Sequence, residues 1–333
     1  MQYIRTPDNR FVDLPDYAFE PHYAEIDDAD GGTLRVHYLD EGPADADPVL
    51  LLHGEPSWSY LYRHMIPVLI EAGHRVVVPD LVGFGRSDKP TEQADYTYAR
   101  HVEWLAALVI GELDLRAMTL FCQDWGGLLG LRLVADQPDR FARVVVGNTF
   151  LPTGHGSPSE AFLAWQEFSQ ATPEFKVGRI VSGGCVRDLE PGEVAAYDAP
   201  FPDDSYKAGA RIFPTLVPTS LDDPESVPNQ EAWKVLEAFE RPFLCAFGDE
   251  DKITAGNDAP FRAKVPGAAG LEHRTMVGGG HFLQEDVGPE LDVLATAITR
   301  GHDALDQAGA REGVEMERQE RGAEPERSTE LAR

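Results

Sequence analysis

Along the first half of the chain, short apolar runs ended by turn residues alternate with stretches of helical spacing. Residues 34–38 alternate at period two, and 49–52 and 75–78 are continuous apolar runs, the pattern of strands buried in a parallel sheet. From 98 to 115 the apolar residues Val102, Leu105, Val109 and Leu113 fall at helical spacing. Residues 117–122 read as a strand, 127–136 as a helix closed by Pro138, and 143–146 as a strand. Such alternation with short links predicts an α/β fold, a parallel sheet covered on both faces. It stops near Leu151. Residues 151–225 hold Pro, Gly and aromatic residues with helical fragments and no strong strand. The strand pattern resumes at 242–247 and 272–277, and 289–299 predicts a closing helix.

The expected organisation is a core in two parts, 1–150 and 226–300, interrupted by a helical cap at 151–225 and followed by a tail at 301–333. Of the last 26 residues 12 are charged and none is aromatic, too little apolar area to order a tail, so disorder is expected there. A chain of 333 residues suits one large α/β domain with an insertion. No apolar run is long enough to cross a bilayer, and the first residues lack the apolar stretch of a secretory signal. Three well-separated cysteines, Cys122, Cys185 and Cys245, form no disulfide framework and point to a reducing compartment, the cytoplasm.

Charge changes the picture of the surface. Asp plus Glu number 57 against 29 Lys plus Arg, a formal charge of −28. Such a chain repels nucleic acid and anionic lipid, which removes both as partners. Only six of the basic residues are lysine. A GC-rich genome would account for scarce lysine but not for −28, so adaptation to a salt-rich interior is the expectation.

The chemistry gathers at predicted strand ends. In Phe121-Cys122-Gln123-Asp124-Trp125-Gly126-Gly127 a strand runs through a tight turn into a helix, the shape of a nucleophile elbow with Asp124 in place of serine. Taken alone, the motif reads first as an Asp that N-caps the helix. His53-Gly54-Glu55-Pro56 follows the strand ending at Leu52, where this layout draws one oxyanion-hole N–H. The donors would be the backbone N–H groups of Glu55 and Trp125. Gly248-Asp249-Glu250-Asp251 and Gly278-Gly279-Gly280-His281-Phe282 follow the last two strands. The order Asp124, acid, His281 is that of nucleophile, acid and histidine in this fold.

With those residues in hand the chain resembles the haloalkane dehalogenases of the α/β-hydrolase superfamily over about residues 1–300. The matching strings are His53-Gly54-Glu55-Pro56-Ser57-Trp58-Ser59-Tyr60-Leu61-Tyr62-Arg63, Gly83-Phe84-Gly85-Arg86-Ser87-Asp88-Lys89-Pro90, Gln123-Asp124-Trp125-Gly126-Gly127, Ala199-Pro200-Phe201-Pro202 and Gly280-His281-Phe282. The resemblance is to the subfamily with two halide-binding tryptophans, which implies Trp125 and, through Ala161-Phe162-Leu163-Ala164-Trp165, Trp165. Plain core packing is the other reading of Trp165. A second subfamily carries Asn at position 55; an ionised Glu55 would donate nothing from its side chain.

A carboxylate elbow suits displacement at saturated carbon, leaving an ester that water can hydrolyse. Asp124 is then the nucleophile, Trp125 and Trp165 the halide donors, His281 the general base and Asp251 the acid that orients it. The family spacing favours Asp251 over Asp249. No metal or organic cofactor is required. Phe162, three residues before Trp165, is the expected pocket wall, while Phe168, Phe201 and Phe213 either line the pocket or pack the cap. The expected partners are a small haloalkane, water and the halide product, acting on a monomer or weak oligomer. An epoxide hydrolase would share the triad but needs cap tyrosines, for which Tyr197 and Tyr206 are available. A fluoroacetate dehalogenase would want arginine where Trp125 stands. A cofactor-free oxygenase and a binding-only protein on the same scaffold complete the rivals.

Overall fold

The computed structural model describes residues 1–28 and 30–287. Eight strands build one sheet: β1 (His22–Asp27), β2 (Thr33–Glu41), β3 (Pro48–Leu52), β4 (Arg75–Pro79), β5 (Met118–Gln123), β6 (Phe141–Gly147), β7 (Phe243–Gly248) and β8 (Arg274–Met276). Their spatial order is β1-β2-β4-β3-β5-β6-β7-β8. The pairs β1/β2 and β2/β4 are antiparallel, and the other five are parallel. This is the α/β-hydrolase arrangement, a mostly parallel sheet with helices. Successive side chains of a strand point to opposite faces. Since every residue of β3, β5 and β7 is buried, both faces of the central sheet are covered.

The covering helices are α1 (Met65–Glu71), α2 (Tyr98–Ala106), α3 (Trp125–Asp136), α8 (Ser226–Leu236) and α9 (Asp258–Lys264). Between β6 and α8 the chain adds no strand but four helices, α4 (Glu160–Ala171), α5 (Val177–Gly184), α6 (Pro191–Asp198) and α7 (Ala208–Leu216). The short stretch Tyr3–Ile4 pairs with Lys89–Pro90 apart from the main sheet.

Two differences from the sequence pattern have physical causes. The helix predicted over 98–115 is α-helical only to Ala106 and continues as a π turn over Ala107–Glu112; apolar spacing does not distinguish the two ladders. Strand β1 escapes the pattern because it is a sheet edge, with Ile26 its only buried residue. The helix predicted at 289–299 and the tail at 301–333 lie outside the described residues.

Register aligns the carboxyl ends. Leu52 pairs with Cys122, Gln123 with Gly147, and Gly248 with Met276. Chain order reverses at β3, which has β4 on one side and β5 on the other. In open α/β sheets the crevice beyond such a reversal is where ligands bind. The residues leaving β3 and β5 there are His53-Gly54-Glu55 and Asp124.

Candidate active site

Asp124 leaves β5 with φ 51° and ψ −129°, a conformation that disfavours any residue with a side chain. It costs roughly 1–3 kcal/mol and persists only where surroundings enforce it. Here they do. The Asp124 N–H donates to the Asn148 carbonyl at 3.0 Å, and the Asp124 carbonyl accepts from Thr149 Oγ1 at 2.7 Å and from Gly127 N at 2.9 Å. A Cβ on Gly54 would collide with the Asp124 side chain, and one on Gly126 with the Leu52 carbonyl. The carboxylate therefore stands upright at the first turn of α3, where free N–H groups and the helix dipole favour negative charge.

Asp124 Oδ1 accepts the Glu55 backbone N–H at 2.7 Å, while Oδ2 lies 3.5 Å from His281 Nε2. The other ring nitrogen, Nδ1, is 3.1 Å from Asp251 Oδ2. Asp251 is fixed by Ile253 N–H at 2.9 Å and by the Thr254 hydroxyl. Asp249 is exposed and caps the Gly278 N–H at 2.7 Å, so the acid beside the histidine is Asp251. Burial works against the His281 imidazolium, but the Asp251 and Asp124 carboxylates outweigh it and raise its pKa above the ordinary range. Burial alone would push Asp251 up; the His281 charge and the hydrogen bonds carry it down to about 2.

Glu55 is buried, with Oε1 lacking any partner. Burial, then the Asp124 charge, raises its pKa well above the usual value, while His281 and, less so, Trp165 work the other way. This environment favours the uncharged acid, whose O–H, unlike an ionised carboxylate, can donate. His53 has a structural task. Leu81 N–H donates to its Nε2 at 3.0 Å, so Nδ1 carries the proton toward the Gly54 carbonyl at 2.9 Å. The ring thus joins the ends of β3 and β4.

Above these groups is a cavity of about 550 Å³, roofed by the inserted helices. Trp125, Trp165, Phe162 and Phe168 line it together with Asp124, Glu55 and His281. Trp125 packs at a tilt on Phe213 at 4.6 Å and on Tyr98 at 5.1 Å. Trp165 stacks on Phe168 at 5.8 Å. Phe201 and Phe213 lie off the cavity, both packed on Phe84. Neither Tyr197 nor Tyr206 lines it, and the Tyr197 hydroxyl is spent on Glu285. Leu128, Phe150, Ile180, Val217 and Ile253 complete the apolar wall and were not singled out from sequence.

Sequence reasoning also missed Asn148. Its Nδ2 donates to the carbonyls of Gly280 at 2.7 Å and His281 at 3.1 Å, and its Oδ1 accepts Gly248 N–H at 2.8 Å. One side chain thus ties the loops after β6, β7 and β8. The signal was present: Asn148 is a polar residue just past an apolar strand, the same position that picks out Asp124.

A buried ion cluster fastens the insertion to the core. Arg63 Nη1 donates to Glu285 Oε1 at 2.5 Å and Nη2 to Glu193 Oε1 at 2.5 Å, and Arg187 Nη2 reaches Glu193 at 2.8 Å and Glu285 at 2.5 Å. Two guanidiniums balance two carboxylates. His64 beside Glu193 and Glu285 has metal-ligand spacing, but both carboxylates are already engaged by arginine.

The family model described as alpha/beta hydrolase fold matches residues 47–286. The chain is 58% identical over 294 residues to a haloalkane dehalogenase of Psychrobacter cryohalolentis, covering 88% of this chain and 97% of the relative. It is 53% identical over 291 residues to one of Mycobacterium marinum, covering 87% and 97%. Among solved structures it is similar to the tetrameric haloalkane dehalogenase DpaA from Paraglaciecola agarilytica, with a TM-score of 0.83, 38% identity and coverage of 89% and 98%.

Proposed function

The chain belongs to the haloalkane dehalogenases, hydrolases of carbon–halogen bonds with the α/β-hydrolase fold, and on that premise we propose how its residues divide the work. The observation that carries the reading is the Asp124 carboxylate upright on its elbow, one oxygen on the Glu55 N–H and the other facing His281.

Asp124 Oδ2 attacks the carbon bearing halogen in line. The carbon–halogen bond breaks with its electron pair leaving on halide, and an alkyl ester of Asp124 forms. The halide is weakly basic and takes no proton; it needs N–H donors in a dry site. Trp125 and Trp165 supply them, since indole is a donor only. Burial and the Asp124 charge, by raising the Glu55 pKa, disfavour a second anion opposite the halide. Phe162 forms part of the apolar wall around the alkyl chain.

In the second step water attacks the ester carbon Cγ while His281 Nε2 takes its proton. Oδ1 becomes the oxyanion, held by the N–H of Glu55 and, at the head of α3, of Trp125. Asp251 steadies the imidazolium. Collapse releases the alcohol and restores Asp124, and the proton leaves with the halide: haloalkane and water become alcohol, halide and a proton. Residues 151–225 act as the cap that keeps bulk water from the first step.

The rival epoxide hydrolase needs tyrosine hydroxyls over the nucleophile, and Tyr197 and Tyr206 do not line the cavity. The test is halide release from 1,2-dibromoethane, 1,2-dichloroethane and 1-chlorobutane, run beside styrene oxide hydrolysis, with intact-protein mass spectrometry. His281→Gln accumulates an Asp124 ester after one halide per site; Asp124→Ala releases none. Steady-state turnover by either variant refutes the roles.

A further inference from the structure

Chain segments 184–187 of the insertion and 280–286 of the core are interlocked by hydrogen bonds that the chemistry above does not use. The Gly184 carbonyl accepts the N–H of His281 itself at 2.7 Å. Asp286 accepts three backbone N–H groups: Gly280 at 2.8 Å, Val186 at 3.0 Å and Arg187 at 2.9 Å. Arg187 Nε donates to the Glu285 carbonyl at 2.7 Å. The fit leaves no slack. A Cβ on Gly280 would sit 2.6 Å from the Gly184 carbonyl oxygen and 3.0 Å from Asp286 Oδ2, and one on Gly184 would sit 2.8 Å from the Phe282 ring.

On the opposite side the core grips the same backbone. Asn148 Nδ2 donates to the Gly280 and His281 carbonyls, and Gln123 Nε2 donates to the His281 carbonyl at 3.0 Å. The core therefore takes the carbonyls of this turn and the insertion takes its N–H. Asp286 joins the two directly at the turn, because its carboxylate binds Gly280 and the Val186–Arg187 backbone at once. A carboxylate filled by several N–H groups is a firm tie, since each bond is charge-assisted.

We propose that Asp286 is a positioning residue for the general base: by fastening segment 186–187 to Gly280 it keeps the Gly184 carbonyl under the His281 N–H, and so sets the reach of the imidazole to the ester. This rests on the roles given above to Asp124 and His281. The cap then has a second task beyond closing the cavity. It supplies half of the seat on which the base stands.

The two half-reactions separate this from a general loss of fold. Ester formation uses Asp124 and the indoles; ester hydrolysis alone uses His281. Rapid-quench kinetics with 1,2-dibromoethane resolves both steps in the full chain. In Asp286→Asn and Asp286→Ala the halide burst keeps its rate within about 3-fold, while ester hydrolysis slows about 10- to 100-fold, the scale of a misplacement near 1 Å. The ester then accumulates, so kcat and KM fall together, and Asp286→Glu recovers part of the rate. A burst and a hydrolysis step slowed alike, or neither slowed, in a variant with wild-type circular dichroism overturns the inference. His281→Gln is the control. If it traps the ester while Asp286→Ala hydrolyses normally, the inference fails alone; if it traps none, the reading of the mechanism fails and takes this inference with it.

Discussion

His281 Nε2 lies 3.5 Å from Oδ2 of Asp124, which ties the charge of the proposed base to the state of the proposed nucleophile. With Asp124 ionised, two carboxylates flank the imidazole and raise its pKa. Conversion of Asp124 to an ester removes one of those charges and lowers the imidazole pKa. The base is therefore released for proton abstraction only after there is an ester to hydrolyse.

The same coupling makes stability depend on pH. The folded-state pKa of His281 is raised, so the folded chain keeps a proton that the unfolded chain gives up above about pH 6.5. Its contribution is complete below that value and is lost as pH rises through the raised folded pKa. The unfolding free energy thus declines from neutral to alkaline pH, with a slope from this group of at most about 1.4 kcal/mol per pH unit. Urea denaturation across that window shows this component in the parent chain and its loss in His281→Gln.

Replacing Trp125 or Trp165 by Phe keeps an apolar ring in the cavity wall but removes one N–H from the halide. A hydrogen bond to a charged group is worth about 1.5–3 kcal/mol. Each variant should therefore slow the halide burst by roughly 10- to 150-fold and weaken bromide quenching of tryptophan fluorescence similarly. The burst is the decisive reading, since ester hydrolysis uses neither indole N–H.

Arg63 has no exposed side-chain surface and meets both Glu285 and Glu193. Arg63→Met leaves those carboxylates facing each other with Arg187 as their remaining guanidinium. Removing one partner from a buried ion network costs about 3–5 kcal/mol. Chemical denaturation should report a loss of that size, with a lower midpoint.

The formal charge of −28 predicts a response to salt. Dense counterions screen the self-repulsion of the compact state. The melting temperature rises between low and molar KCl; a flat or falling curve removes the salt-adapted reading.

The strand ends that carry the proposed catalytic groups were legible because a buried parallel strand is a run of apolar residues, and a polar residue just beyond it stands out. Asp124 was visible in that way; His281 stood out by the three glycines before it, and Asp251 was preferred to Asp249 only through the family spacing. Residues whose work is done through the backbone were not. Asn148 stands past an apolar strand as Asp124 does, but its backbone partners, like the N–H groups that Asp286 binds, leave no trace in side-chain pattern, so its position carried no role. Arg63 was inside a recognised string, yet an arginine read from sequence is assigned to the surface; only the assembled fold brings Glu193 and Glu285 to it. The state of Glu55 depends on burial by parts of the chain far away in sequence, and so it too emerged only in three dimensions.

The hydrogen bond from His281 N–H to the Gly184 carbonyl bears on protein engineering. Chimaeras that exchange the α4–α7 block between dehalogenases to alter substrate range also exchange the acceptor beneath the histidine. By the role proposed for Asp286, a graft chosen only for the shape of its pocket face binds new substrates yet stalls as the covalent adduct, unless its own 186–187 backbone meets Asp286 in the same way.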